Sequence, residues 1–356
     1  MEQKAEPKLK YTSSLMTSCL YWRMVKHLGL KGYIVRRIVY MLILVYLVAT
    51  VNFVLFNLMP GTTLAKYVAN VEGKMDAEKL EKLKESFGFN RPLHERYFLY
   101  LRNMLTWNFG ESYESRASVQ GEIMRALPNT LLLMGVADIA AMIVGILLGV
   151  IVAYKRGGSL DTSVVTVSLA TYSIPVFWIG WLFLSLFSVQ LKWFPVGGIV
   201  PKEWAITPPT NLFEYWAGRL YMITLPSLTL FIFLIGGWIL LTRATVLETI
   251  TEDYVATARA KGLAERTVLF KHVLKNASLP IITSIALTFG FLISGAIITE
   301  TVFSYGGMGL LGWKAISQAD VPVMQAFFFV IALLVIVANF VADLLYGVVD
   351  PRIKYG

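Results

Sequence analysis

The sequence predicts an all-α polytopic membrane protein with six transmembrane helices, on three observations. Six apolar stretches are each long enough to cross a hydrocarbon core of about 30 Å. Hydrophobic residues make up 56% of the 356-residue chain and charged ones only 15%, against roughly 25% charged in an ordinary soluble domain; the mean hydropathy is +0.62. The basic residues gather between alternate stretches, which sets an orientation. This composition excludes a water-soluble enzyme. Backbone amides in hydrocarbon have no water to bond, so the stretches are read as helices.

The first stretch runs from Ile34 to Leu58. It exceeds the apolar core of a signal peptide and ends in Leu58-Met59-Pro60-Gly61 without an Ala-x-Ala site, so it is read as a retained anchor. Residues 1–30 are a cytoplasmic extension with Lys8, Lys10, Arg23 and Lys26 beside Tyr21 and Trp22. Both an interfacial helix within 15–30 and a floppy tail fit it.

Residues 59–127 form an external helical insertion, too long for a bare connector. Asp76 to Phe87 places Leu80, Leu83 and Phe87 at helical spacing behind Asp76 as N-cap. Pro92 to Trp107 is a second helix opened by Pro92. Its apolar face is Leu93, Tyr97, Tyr100, Leu101, Met104 and Leu105. Together they would form a small cap, either a structural lid or a substrate site.

The remaining stretches run from Asn129 to Ala153, Thr162 to Val189, Leu220 to Leu241, Leu279 to Thr299 and Met324 to Tyr346. Short segments on one side hold Lys155, Arg156, Arg243, Arg259, Lys261, Arg266, Lys271, Lys275, Arg352 and Lys354. Those on the other hold only Lys192, Lys202, Arg219 and Lys314. The basic side is cytoplasmic, which puts both termini inside. The insertion carries both signs of charge, but loops beyond about 60 residues translocate largely regardless of charge, so it lies outside. The net charge of +9 reflects loops facing anionic lipid, and no nucleic-acid partner is expected.

Chemistry-bearing motifs are sparse. The one cysteine, Cys19, excludes an intrachain disulfide, and His27, His94 and His272 are too scattered to suggest a metal site. No Gly-x-x-x-x-Gly-Lys-Ser/Thr, Gly-x-Ser-x-Gly or His-Glu-x-x-His occurs, so no catalytic residue is assigned and the chain is not read as an ATPase or hydrolase. Acids within spans cost roughly 2.5–3.5 kcal/mol at mid-bilayer and therefore face protein or water. Asp343, four residues after Asn339, is read as a structural hydrogen-bonding group; Asp138 either lines a path or meets a partner helix. Gly145 and Gly149 have the spacing of close helix packing. Ser294, Thr299 and Glu300 join Asp138 as candidates for a path or an inter-subunit contact.

The most informative segment is 246–278, between the fourth and fifth stretches. Thr249 and Glu252 have capping-box spacing. Ala256, Ala258 and Ala260 give the first helix a small-residue surface, and Gly262 suits the positive φ of a C-terminal turn. A second helix from Glu265 would bury Val268, Leu269, His272 and Val273, and Pro280 would open the fifth span. The first helix lacks large lipid anchors, so docking on a protein is favoured over resting on the bilayer.

This segment resembles the EAA loop of ABC importer permeases, whose helix inserts into a groove on the ATPase. The family pattern Glu-Ala-Ala-x-x-x-Gly aligns with Ala256-Thr257-Ala258-Arg259-Ala260-Lys261-Gly262, with Ala256 in place of the glutamate. The run through Leu263 is similar to the variant of oligopeptide and dipeptide permeases. Further resemblance lies in Phe87-Gly88-Phe89-Asn90-Arg91-Pro92-Leu93, Leu127-Pro128-Asn129-Thr130, Ser173-Ile174-Pro175-Val176-Phe177-Trp178, Glu300-Thr301-Val302-Phe303-Ser304-Tyr305 and Asp350-Pro351-Arg352. Gly306 stands where the family usually has proline, and Ala319 where a polar residue is commoner.

The resemblance covers the chain from Arg36 onward and implies the type I importer architecture within a six-span domain over 31–356. It implies a second homologous permease, two P-loop ATPase subunits holding ATP and magnesium, and an extracytoplasmic solute-binding protein. It also implies the cytoplasmic membrane of a prokaryote and no cofactor on this chain. Peptides are the implied solute; oligosaccharides and metal complexes are the alternatives within the family. A non-transporting scaffold and a secondary transporter are the rivals outside it. Residues 256–263 would dock in the ATPase groove, with Arg259 and Lys261 at its rim and Glu265 to Asn276, including His272, bracing the helix.

Overall fold

The computed structural model describes residues 30–58, 91–292 and 297–349. The expected surface helix within 15–30, the helix from Asp76 to Phe87, Ser294 and Asp350-Pro351-Arg352 lie outside the described residues. Among them the regular structure is helical, and the strand-type pairing is an isolated antiparallel bridge between Glu111 and Ser118.

Four helices are long and apolar enough to cross a membrane, over Ile34–Phe56, Val119–Tyr154, Leu212–Ile250 and Val321–Leu344. A bent pair, Ser159–Ser173 with Val176–Gln190, can make a fifth. The first of these lies within α1 (Leu30–Leu58). Most of α1 is exposed hydrocarbon, such as Leu42, Ile43, Leu47 and Leu55, while Ala49, Asn52 and Phe53 are buried. The Asn52 amide donates to the Gln325 carbonyl at 2.9 Å, pinning α1 to the last helix. The insertion supplies α2 (Leu93–Leu105), with Pro92 in the capping position. Only the middle of its expected apolar face is covered: Tyr100 and Met104 are buried, whereas Leu93 and Leu105 are exposed.

Helices α3 (Val119–Tyr154) and α6 (Leu212–Ile250) form the centre and run well beyond the apolar stretches. Hydropathy locates the greasy middle of a helix; the caps locate its ends. Ser118 caps α3, its hydroxyl accepting from the Gly121 amide. Asn211 caps α6 by accepting from the Glu214 amide at 2.8 Å, while the Glu214 carboxylate reaches back to the Thr210 amide at 2.8 Å. The two axes approach closely at Gly145 and Gly149. A Cβ at Gly149 would lie 2.6 Å from Thr242 Cβ and 2.9 Å from the Ile239 carbonyl. Lipid tails are as apolar as leucine, so such packing, not burial from water, is what holds spans together.

The third stretch is not one straight helix. It breaks into α4 (Ser159–Ser173) and α5 (Val176–Phe183), bent by 93°. Pro175 lacks an N–H and bars its predecessor from helical geometry, and Ile174 accordingly sits at ψ 129°. A widened π-type turn, Leu184–Gln190, continues α5. The expected fifth stretch coincides with α8 (Leu274–Leu292) and α9 (Ile297–Val302). Pro280 lies inside α8 and does not open it, because the helix already starts in the preceding loop. After α9 come α10 (Met308–Gln318) and α11 (Val321–Val349). The Phe327 ring sits directly on Gly312, where any side chain would collide with it.

Candidate functional site

The loop between α6 and α8 folds as a tight unit. Helix α6 runs through Thr249, whose hydroxyl donates back to the Thr245 carbonyl at 2.8 Å, so the expected capping box with Glu252 does not form. A two-residue break at Thr251 and Glu252 follows, and α7 (Asp253–Ala260) starts without a side-chain cap. Gly262 turns the chain at φ +71°, as its sequence position requires. Glu265–Thr267 begins the return helix, and a π-type segment, Val268–Val273, leads directly into α8.

The two faces of α7 are different in kind. Val255 and Ala258 point inward and are buried with Val268, Leu269 and Val273 against Val150, Ala153 and Val246 at the ends of α3 and α6. Ala256, Thr257, Ala260, Lys261 and Leu263 are exposed. Ala258 therefore lies on the packed underside of α7, not on its exposed side. Arg259 is also committed within the loop, paired with Glu265 at 2.7 Å. This contact holds the Glu265 carboxyl below its ordinary range and raises Arg259 further. His272 is half-buried, and its carbonyl accepts from the Asn276 amide.

Two ion pairs support the bundle. Arg243 grips the buried Asp161 with two nitrogens at 2.7 and 2.9 Å, tying α4 to α6, and the Gly157 amide adds a third bond at 2.9 Å. Asp343 pairs with Arg37 of α1 at 2.7 Å. Its structural role is thus an interhelical ion pair, with a partner that lies far away in sequence.

At the other end of α3 and α6 lies a buried polar cluster. The Asn129 amide donates to the Gly306 carbonyl at 2.7 Å, and its oxygen accepts from Arg219 at 2.6 Å. Arg219 also donates to the Ile199 carbonyl at 3.1 Å. The Thr130 hydroxyl donates to Glu300 at 2.6 Å and accepts from the Met308 amide at 2.7 Å. Glu300 takes a further bond from the Leu310 amide, and the Tyr305 hydroxyl reaches the Asn129 carbonyl. A Cβ at Gly307 would lie 2.5 Å from both Glu300 oxygens and from Thr130 Oγ1. Two motifs separated by some 170 residues therefore form one object.

Glu300 is completely enclosed by this chain, and Thr299 is buried beside it. Neither faces open space. Asp138 is also buried, with one carboxylate oxygen lacking a hydrogen-bond partner. Nearby, Asp320 anchors the loop after α2: it accepts from the Ser112 hydroxyl at 2.5 Å and from the amides of Tyr113 and Glu114. Sequence reading missed Arg219, Asp320 and the Asp161–Arg243 pair. Arg219 reads as a loop charge in the sequence, although the Asn211–Glu214 capping pattern places it about two turns inside α6.

Comparison with known proteins follows this layout. Residues 145–355 match the family described as the binding-protein-dependent transport system inner membrane component. Residues 30–134 match the N-terminal component of the same systems. The chain belongs to this family. Among the binding-protein-dependent permeases it resembles is the di/tripeptide transport system permease protein DppB of Pseudomonas aeruginosa, 38% identical, with 91% of this chain and 99% of that one covered. The oligopeptide permease protein AppB of Bacillus subtilis is 35% identical over the same shares. The glutathione permease protein GsiC of Escherichia coli is 32% identical, again over 91% and 99%. A chain of the inward-facing MetNI methionine ABC transporter shares the fold, with a TM-score of 0.51 at 17% identity, covering 64% of this chain and 96% of that one. The chain is thus a multi-pass membrane permease, and both clusters described above fall within the matched residues.

Proposed function

We propose that this chain is the peptide-import permease of an ATP-driven transporter, forming half of the translocation path and coupling to a separate ATPase through residues 249–278. The observation that carries the reading is the two-faced α7. Its underside is packed on the ends of α3 and α6, and its upper face offers small side chains to a partner. A push on that face is transmitted to the two central helices without a flexible joint between them. In this reading both termini and the α7 loop are cytoplasmic, the insertion is external, and six spans arise from α1, α3, the bent α4–α5 pair, α6, α8 and α11. The partners are a second permease, two ATPase subunits that bind ATP and magnesium, and an external solute-binding protein. The relatives named for di/tripeptide, oligopeptide and glutathione transport support a peptide solute.

The test is Ala260→Glu, which changes an exposed position of α7 and leaves its packed side intact. The expected result is loss of ATP-dependent peptide uptake and of ATPase stimulation, with unchanged membrane insertion. Uptake at the wild-type rate, or uptake that needs no ATPase subunit, would overturn the reading.

A further inference from the structure

The end opposite the α7 loop carries a cavity of about 910 Å³ that the coupling role leaves unused. Its size lies in the range of small-molecule sites. Arg219 lines it and is only 6% exposed. A guanidinium presents five N–H donors. Here the partners of Arg219 are neutral oxygens, Asn129 Oδ1 and the Ile199 carbonyl, and its Nε has none. Arg219 makes no ion pair among the described residues. The nearby buried acid, Glu300, spends its carboxylate on Thr130 and Leu310. Buried cations are normally paired with an anion in hydrogen-bond contact, because burial without one is costly. Arg219 is thus a buried charge in a cavity wall with no carboxylate attached.

The rest of the lining fits one ligand chemistry. Lys314 of α10 and Arg125 of α3 add exposed cations to the same cavity, Trp216 and Tyr215 add aromatic faces, and Glu114 adds an exposed carboxylate from the insertion; the other acids of the lining, Glu122 and Asp320, accept from the Ser115 and Ser112 hydroxyls. We propose that this cavity is a solute subsite of the permease itself, taking the free C-terminal carboxylate of a short peptide on Arg219 and Lys314. A planar guanidinium matches a carboxylate in a way that a point charge does not. The aromatic faces accept apolar side chains, and Glu114 provides for the peptide's ammonium. The proposal rests on the peptide-import reading and adds a recognition step on this subunit.

The experiment is equilibrium binding of tri-alanine and of tri-alanine amide to the purified permease–ATPase complex in lipid nanodiscs, without the solute-binding protein. The expected result is binding of the free acid at least tenfold tighter than the amide. Lys314→Gln, at an exposed position, should weaken the acid about tenfold and leave the amide unchanged. Arg219→Gln should abolish the preference; because Arg219 is buried, Trp216→Ala serves as a second exposed variant, weakening both peptides alike. Equal binding of acid and amide overturns the proposal. So does a Lys314→Gln variant that loses affinity for the solute-binding protein while tri-alanine binding is unchanged, since the cavity would then seat a protein carboxylate. ATP-dependent uptake of tri-alanine by the complete wild-type system is measured alongside. Its absence sinks the peptide reading, whereas its presence with equal acid and amide binding sinks the subsite alone.

Discussion

Among single residues, Arg243 and Glu265 make the clearest contrast. Arg243 grips a carboxylate that is 5% exposed. Arg243→Ala leaves that carboxylate with the Gly157 amide bond at 2.9 Å and no cation, and should destabilise the protein. The measurement is the thermal unfolding midpoint in detergent. Adding Asp161→Asn should recover part of the loss, because the pair is coupled. Glu265 and Arg259 lie in solvent, where screening leaves little net stabilisation. Because the Glu265 carboxyl is depressed below its ordinary value of 4.5, its contribution is complete above pH 4.5 and is lost as pH falls through the depressed value. Hydrogen-exchange protection of residues 253–263 should therefore be flat around neutrality and fall only in acid, while Glu265→Gln should show the reduced level throughout. Arg259 stays charged across that range, since its shift is upward. The sequence showed these charges but not their partners: Asp161 and Arg243 are 82 positions apart, and nothing in hydropathy or spacing links them.

Helices were more legible than contacts. The middles of α1, α3, α6 and α11 announced themselves because a span must be apolar for about 20 residues. Their ends did not, since Val119 and Leu212 begin turns that stand beyond the apolar stretches and are fixed by Ser118 and Asn211. The bend at Pro175 was within reach of the same rules, yet the unbroken hydropathy on either side concealed it. Glycine shows how one residue type answers to two different demands. Gly149 needs space, because a Cβ there meets Thr242 and the Ile239 carbonyl; Gly262 needs its φ of +71° and has open space around it. Gly149→Ala should cost about 1–3 kcal/mol through overpacking, and Gly262→Ala about 1–2 kcal/mol through backbone strain. Asparagine separates the causes in the same unfolding assay. It tolerates the left-handed region, so Gly262→Asn should be milder than Gly262→Ala, whereas Gly149→Asn should be worse than Gly149→Ala.

Across the whole molecule, the two ends of the α3–α6 pair have opposite characters. One end is a packed apolar platform beneath α7; the other is a buried polar cluster that ties Asn129, Thr130, Arg219 and Glu300 to the turn before α10. In the proposed reading, the central pair joined to both ends would convert a displacement at one into a displacement at the other, which is what coupling an ATPase to a solute path requires. Such coupling needs the two ends on opposite sides of the membrane. The sequence supports that only through its lysine and arginine bias, and helix geometry supplies the distance: α3 spans 36 residues, or roughly 54 Å at 1.5 Å each. Cys19 is the sole cysteine of the chain, so Cys19→Ser provides a clean background for single cysteines. Thr257→Cys on α7 and Ser118→Cys at the start of α3 replace exposed residues at the two ends. In intact cells a membrane-impermeant maleimide should label the second and spare the first, and permeabilisation should expose the first. Labelling of both in intact cells, or of Thr257→Cys alone, would reverse or break the orientation and with it the transmission from α7 to the cavity beside Arg219.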